Sequence, residues 1–303
     1  MKVLITGGAG FIGSNITRIL EKEGAKTIIL DNFSHADYKN IIDLKSDIIC
    51  GDILDGELLK KLPKLDAVIH EAAITDTTLT DDAKMMSVNY NGFKNIANFC
   101  LKRKIKLVYA SSAGVYGSTE STMQENQKHI PHNTYGYSKY LCDCYTKRIQ
   151  QQKSLPSIVG VRYFNVYGPG EYHKGKSASM IYQLYCQMIA DKRPRIFKYG
   201  EQKRDFIFVK DVARITTQAL QLKKNYILNV GTGTARSFND IVQILNTTLK
   251  KSLKPDYFDN PYSDKYQNYT RADITALKKA MNTTAVFSLE KGIKDYVVNY
   301  LNT

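Results

Sequence analysis

Short apolar runs alternate with stretches of helical periodicity along the first half of the chain. The runs indicate buried strands, which we place at residues 3–6, 27–30, 46–50, 67–70, 107–110 and 157–164. Apolar positions that recur every three or four residues predict helices between them, at residues 12–23, 88–102 and 137–152. This alternation is typical of an α/β fold in which helices cover both faces of a doubly wound parallel sheet.

The pattern becomes less regular after residue 168. It predicts a helix at residues 178–190, short strands at 195–197, 205–209 and 226–230, and a helix at 238–250 capped by Ser237. We therefore expect one parallel-sheet domain at residues 1–167, to which segments near 205–232 return. A smaller mixed α/β C-terminal lobe is expected at residues 168–204 and 233–303, and this lobe should form the substrate-binding wall.

Composition narrows the possible function classes. The 303 residues carry a net charge of +14, but the basic pairs are dispersed and not interleaved with aromatics, so we expect no nucleic-acid partner. No apolar run reaches the roughly 18 residues of a membrane span, and the apolar start is too short for a signal peptide, which predicts a cytoplasmic protein. Among the five scattered cysteines, Cys142 and Cys144 lack zinc-ligand spacing, so we expect reduced thiols and no metal.

A glycine-rich turn joins the first predicted strand to the first helix, where residues 6–13 read TGGAGFIG. Gly7 permits a tight turn, Gly10 lets the backbone approach a pyrophosphate, and Gly13 lets the helix pack closely on the strand. Asp31 ends the next strand, where its carboxylate can accept hydrogen bonds from ribose hydroxyls. These features predict a Rossmann-type dinucleotide site, in which Asp31 favours NAD while His35 or Lys39 leaves NADP open.

Two further stretches suit catalysis coupled to a nicotinamide cofactor. Ser112 follows a strand, at the sheet edge where open α/β folds bind ligands, and Tyr135 and Lys139 share one face of a helix. A free tyrosine has a pKa of ~10, and a neighbouring ammonium with a cationic nicotinamide would lower it. We therefore predict that Tyr135 exchanges a proton with an alcohol whose oxygen is hydrogen-bonded by Ser112.

With these stretches the chain resembles the extended short-chain dehydrogenase/reductases, the nucleotide-sugar epimerases and dehydratases, over essentially its whole length. Residues 162–169 (RYFNVYGP) and 204–209 (RDFIFV) carry the same resemblance. Within this group the chain is most similar to the ADP-glyceromanno-heptose 6-epimerases, notably where Gly168-Pro169 is followed by Glu171-x-His173-Lys174.

The resemblance implies a one-site redox reversal at carbon 6 of a nucleotide-diphosphate sugar. Bound oxidised cofactor takes a hydride, the transient aldehyde rotates, and the hydride returns to its other face, with Tyr135 and Lys174 as the two acid/base groups. It also implies a homo-oligomer and tightly bound NADP. However, the family's phosphate-binding lysines are not cleanly reproduced after Asp31-Asn32, and Lys176 replaces a small residue, so NAD and NADP both stay open.

The predicted site residues fall into three sets. The catalytic set is Ser112, Tyr135, Lys139 and Lys174. The cofactor-binding set is Gly7, Gly10, Phe11, Ile12, Gly13, Asp31, Asn32, Lys39, Asp52, Ile53, Glu71, Ala72, Ala73, Asn89, Tyr135, Lys139, Val166 and Lys174. The substrate-binding set is Ser112, Asn165, Lys176, Gln183, Phe197, Arg204 and Tyr266. His70, which ends a strand, is interpreted as structural.

Three alternatives share the predicted fold. A UDP-hexose 4-epimerase would use Ser112, Tyr135 and Lys139 equally but would not require Lys174. A sugar 4,6-dehydratase needs an acidic pair after the strand-end residue, where this chain has Ala113 and Gly114. A cofactor-sensing regulator without activity would need none of the catalytic residues.

Overall fold

Parallel strands form the framework of the molecule. The computed structural model describes residues 1–77, 80–151, 156–259 and 267–302. The strands are β1 (Lys2–Thr6), β2 (Lys26–Asp31), β3 (Asp47–Cys50), β4 (Ala67–His70), β5 (Lys106–Ser112), β6 (Ile158–Tyr163), β7 (Asn165–Tyr167), β8 (Arg195–Phe197), β9 (Lys203–Phe208), β10 (Tyr226–Val230), β11 (Ala235–Ser237) and β12 (Asp256–Phe258).

Helices follow most of the strands. The α-helices are α1 (Phe11–Lys22), α2 (Gly56–Lys61), α3 (Asp82–Met86), α4 (Gly92–Arg103), α5 (Thr134–Ile149), α6 (Met180–Ile189), α7 (Val209–Ala219), α8 (Phe238–Leu249), α9 (Thr275–Met281) and α10 (Leu289–Tyr296). Short 3₁₀-helical segments lie at Tyr38–Asn40, Ala113–Tyr116 and Tyr172–Ser177, and π-helical segments at Ser87–Asn91 and Val297–Leu301. None of the described helices combines the length and apolar composition needed to cross a bilayer.

The large sheet has the strand order β10-β6-β5-β4-β1-β2-β3, and every pairing in it is parallel. Its side chains alternate between two apolar layers, one packed on α1 and α7 and the other on α4 and α5. The strand order reverses beside β1, which opens a crevice at the carboxyl ends of the strands. The predicted doubly wound α/β fold is confirmed.

A second, smaller sheet of order β11-β9-β7 differs from the sequence prediction. We expected residues 165–167 and the segment near 205 to belong to the parallel domain, but β7 and β9 both lie in this small sheet. They do so because Tyr167 and Phe208 pack together, with ring centroids 5.4 Å apart, in an apolar cluster with α6, α8 and α10. Of the returning segments, β10 joins the large sheet, and the division into two lobes stays a prediction.

Two helix boundaries also differ from the periodicity. The predicted helix at 88–102 is a π-helical segment followed by α4, and α3 precedes it. Helix α5 begins at Thr134 rather than 137, because the Asn133 side chain accepts a hydrogen bond from the Gly136 amide at 2.8 Å and caps it. The predicted cap at Ser237 is confirmed as a reciprocal capping box with Asp240.

Candidate active site

A cleft of about 1160 Å³ lies at the carboxyl ends of the central strands, and the small sheet forms part of its wall. Most of the predicted site residues line it. They are Gly7, Gly10, Phe11, Ile12, Gly13, Asp31, Asn32, Asp52, Ile53, Glu71, Ala72, Ala73, Ser112, Tyr135, Lys139, Asn165, Val166, Lys174 and Arg204.

The glycine turn leaves no room for side chains at two positions. Gly7 has φ +69°, and a Cβ atom there would lie 2.5 Å from the Ala72 nitrogen. A Cβ atom at Gly13 would overlap the Gly7 carbonyl oxygen. Gly10 precedes α1 without a side-chain cap, so the first N–H groups of the helix face the cleft with the positive end of its dipole. The turn therefore fits a dinucleotide pyrophosphate.

The edge of the cleft beyond the glycine turn is acidic. Asp31 accepts hydrogen bonds from the Ala9 amide at 3.0 Å and the Phe33 amide at 2.9 Å. Burial raises the pKa of its carboxyl, while these amide hydrogen bonds act in the opposite direction. Asn32 donates to Asp52 at 3.0 Å, so the ends of β2 and β3 are joined where an adenosine would lie.

The predicted catalytic residues come from two neighbouring elements. Lys139 is 3% exposed and donates from Nζ to the Ala110 carbonyl at 2.9 Å, which places its ammonium 6.0 Å from the centre of the Tyr135 ring. The Ser112 hydroxyl oxygen accepts a hydrogen bond from the Gly114 amide at 3.0 Å. The end of β5 and the first turns of α5 thus bring Ser112, Tyr135 and Lys139 into the same cleft.

Lys174 reaches this cleft on the 3₁₀ segment Tyr172–Ser177. Its Nζ lies 5.6 Å from the centre of the Phe11 ring, at the start of α1. Burial lowers the pKa of Lys174, and the nearby Glu171 acts in the opposite direction. The lysine predicted as the second acid/base group therefore lies beside the glycine turn.

Buried side chains fix the residues that flank this segment. Asn15 donates to the Pro169 carbonyl at 2.9 Å, and Asn40 donates to the Gly170 carbonyl at 3.2 Å. Glu171 is fully buried and accepts from the Gly168 amide and the Ser179 hydroxyl, both at 2.9 Å. We predicted no role for Asn15, Asn40 or Glu171, and the only sequence signal was the position of Glu171 within the motif around Lys174.

Several predicted residues do not line the cleft. They are Lys39, Asn89, Lys176, Gln183 and Phe197, and Tyr266 lies outside the described residues. Lys39 is exposed on a 3₁₀ turn that Asp37 caps. Gln183 donates to the carbonyls of Lys176 and Ala178, which places its amide against the backbone.

Asn89 and His70 have supporting positions. Asn89 is 1% exposed; its side chain bonds both backbone groups of Ile74 and donates to the Ser138 hydroxyl, which in turn donates to the Tyr135 carbonyl. Asn89 thus connects the cleft wall at Ile74 to α5. His70 pairs with the Thr6 hydroxyl at 2.7 Å, and burial lowers its pKa to about 3, as its interpretation as a structural residue predicts.

The wall contributed by the small sheet carries Arg204 and Asn165. Arg204 is 6% exposed and donates to the Lys203 carbonyl at 3.1 Å. Asn165 accepts a hydrogen bond from the Thr270 hydroxyl at 3.0 Å. The buried Asp205 carboxylate accepts from the Thr232, Gly233 and Ala272 amides, and so ties β9 to the following loops.

Comparisons with known proteins agree with this geometry. The model of the NAD dependent epimerase/dehydratase family matches residues 3–231. The ADP-L-glycero-D-manno-heptose-6-epimerase of Brachyspira hyodysenteriae is 39% identical, over 97% of this chain and 96% of that protein. The solved structure of the Helicobacter pylori ADP-L-glycero-D-manno-heptose-6-epimerase has a TM-score of 0.92 at 37% identity, covering 98% of this chain and 95% of that one. For the Thermotoga maritima UDP-glucose 4-epimerase the TM-score is 0.92 at 27% identity, with 100% and 99% covered.

Proposed function

The chain belongs to the NAD-dependent epimerase/dehydratase family, and on this premise we propose that it inverts carbon 6 of an ADP-activated heptose. The predicted family resemblance and epimerase activity are confirmed by the family match and the relatives. The finer proposal depends on one observation: Tyr135 on α5 and Lys174 on a separate loop line the same cleft. It is supported by two relatives that carry this activity in their names.

Each of these cleft residues has a separate role in such a reaction. A bound nicotinamide ring would supply the redox chemistry, by accepting a hydride from the sugar alcohol and returning it to the opposite face of the carbonyl. Tyr135 takes the hydroxyl proton on one face, helped by the neighbouring Lys139 ammonium. Ser112 uses an oxygen lone pair to accept from Gly114, which leaves its hydroxyl proton for the reacting oxygen. Lys174 exchanges the proton on the other face.

The opposite wall of the cleft, formed by the small sheet, would bind the sugar nucleotide. The Arg204 guanidinium is planar and permanently charged, so it suits bidentate hydrogen bonds to a diphosphate. Asn165 lies on the neighbouring strand β7 and offers an amide to the sugar. We therefore propose a nucleotide-diphosphate sugar as substrate, held between α5 and the small sheet.

The experiment that tests the function follows product stereochemistry by NMR with ADP-heptose and, separately, UDP-hexoses. We expect inversion at carbon 6 of the heptose, loss of that activity in Lys174→Ala, and retention in Lys22→Ala, which removes an exposed lysine of α1. Inversion at carbon 4 of a UDP-hexose, unaffected by Lys174→Ala, would instead establish the second candidate. The similarity to the Thermotoga maritima 4-epimerase is the observation that favours that candidate.

For the cofactor we propose NAD rather than NADP. Asp31 and Asp37 both line the adenosine end of the cleft, and Lys39 is exposed outside it. Two carboxylates there would repel a 2′-phosphate. We expect NAD⁺ to bind at least about tenfold more tightly than NADP⁺, an advantage of about 1.4 kcal/mol, and Asp31→Asn to reduce that preference. Tighter binding of NADP⁺ in a calorimetric titration would refute this assignment.

A further inference from the structure

The Glu71 carboxyl group lies in the floor of the cleft, in contact with a buried tyrosine. Glu71 follows β4, and its Oε1 is 2.8 Å from the hydroxyl of Tyr163 at the end of β6. Strand β5 runs between these two strands, and its small residue Ala110 packs in the same apolar cluster as Tyr163. The Tyr163 hydroxyl is also 2.9 Å from the Thr216 hydroxyl of α7.

The protons along this chain of hydrogen bonds can be counted. The Thr216 hydroxyl donates to the Val212 carbonyl at 2.8 Å, and a carbonyl can only accept, so the one Thr216 proton is used there. The Tyr163 proton can then serve either Thr216 or Glu71, but not both. Both of the short contacts of Tyr163 are hydrogen bonds only if Glu71 supplies a proton of its own. The geometry therefore requires a protonated Glu71 for a complete chain.

The electrostatic surroundings point in the same direction. Burial raises the pKa of Glu71 to about 7; a hydrogen bond that Tyr163 would donate to the ionised carboxylate, and the Lys139 ammonium of α5, act against this shift. Among the other described groups, His70 precedes Glu71 and stays neutral, and Tyr135 acts electrostatically on the buried Tyr163. Among the described groups, Lys139 is thus the cation that lowers the pKa of this carboxyl, and its effect is smaller than the increase that burial causes.

We propose that Glu71 is held as a neutral carboxylic acid, and that it releases its proton to solvent more readily when oxidised, cationic nicotinamide occupies the cleft than when the reduced, neutral form does. The ionised carboxylate would favour the cationic, oxidised ring, whereas the neutral acid would favour neither the oxidised nor the reduced ring. This inference rests on the cofactor part of the proposed function and not on the identity of the sugar. Glu71 would thus be a residue of the cofactor site whose charge makes the preference between NAD⁺ and NADH depend on pH.

Two measurements test the proposal without an activity assay. Infrared spectroscopy near pH 6 should show the carbonyl stretch of a protonated carboxyl that Glu71→Gln lacks. The buried Glu171, whose pKa is also raised, is common to both proteins and cancels in the difference. Glu57→Gln, which alters a side chain that is 73% exposed, is the matched control and should retain the band.

Titration calorimetry with NAD⁺ and NADH, in buffers of different ionisation enthalpy, supplies the second readout. If the pKa of Glu71 is one unit lower in the NAD⁺ complex than in the NADH complex, the preference of the wild type for NAD⁺ over NADH should rise by up to about tenfold between about pH 5.5 and about pH 8.5. Near neutral pH, more protons should be released on binding NAD⁺ than on binding NADH. Glu71→Gln should abolish both effects. An unchanged pH dependence in Glu71→Gln, or no difference band, would overturn the proposal, whereas failure to epimerise any sugar would refute only the substrate assignment.

Discussion

A buried ion pair beneath the catalytic helix provides a sharp test of what holds this site together. Arg162 on β6 donates from Nε to Asp143 on α5 at 2.8 Å, and the two side chains are 0% and 1% exposed. Tyr109 on β5 donates to the other Asp143 oxygen at 2.8 Å. Asp143 lies one turn after Lys139 on α5, so this network joins the helix that carries the catalytic residues to two strands.

Asp143→Ala removes the counter-charge and leaves a buried guanidinium whose other hydrogen-bond acceptors, the Tyr116 hydroxyl and the Glu125 carbonyl, carry no charge. Loss of one member of a buried pair costs about 3–5 kcal/mol. Tyr109→Phe removes one hydrogen bond and leaves the pair intact, so we expect about 1–2 kcal/mol. Asp143→Asn keeps an acceptor oxygen and should lose less than the alanine variant.

The assay is equilibrium urea unfolding of the ligand-free proteins, followed by circular dichroism. A loss of 3–5 kcal/mol is a large part of the total of about 5–15 kcal/mol expected for a protein domain, so the midpoint should fall clearly. If Asp143→Ala lost less than about 1 kcal/mol, or no more than Tyr109→Phe, the charge pairing would not stabilise the fold and our reasoning would be refuted.

Further predictions concern the cleft itself. Tyr135→Phe should slow turnover by at least ~100-fold while NAD⁺ affinity in calorimetry changes little, since it removes one hydroxyl that carries the proton and leaves the other residues of the cofactor-binding set in place; near-normal turnover would contradict this role. Gly13→Ala should abolish measurable cofactor binding because its Cβ would overlap the Gly7 carbonyl, whereas Gly56→Ala, where nothing lies within 4 Å, should bind normally; equal affinities would contradict the close packing. Glu71→Gln should gain stability over wild type as pH rises from 4.5 to about 7, by up to about 3 kcal/mol, because the raised folded-state pKa makes ionisation unfavourable there; a constant difference in urea unfolding across that range would argue against it.

Local sequence was sufficient for much of the fold. Alternating apolar runs and helical periodicity correctly indicated the parallel sheet, because both patterns arise from neighbouring residues. The cap at Ser237 was predictable for the same reason. The periodicity was misleading at residues 88–102, where a π-helical segment interrupts the helix. Asn89 lies in this segment and bonds to Ile74 and Ser138, two residues distant in sequence that a periodic pattern does not reveal.

The site also has parts that local sequence predicts and parts that it does not. The glycine turn, Ser112 and the Tyr135–Lys139 pair are short-range arrangements, and their motifs brought them correctly to one sheet edge. The motif could place Lys174 in the family pattern, but not show that it lies beside the Phe11 ring.

Local spacing is therefore enough to specify strands, helices, the glycine turn and the tyrosine–lysine pair, because their periods and caps depend on residues a few positions apart. The tertiary structure alone decides that β7 and β9 leave the main sheet and that Asn15 and Asn40 hold the loop of Lys174. It also decides that Glu71 meets Tyr163, 92 positions away in the chain. Such contacts depend on which surfaces are buried together, and burial sets both the hydrogen-bond partners and the protonation of the groups that meet there.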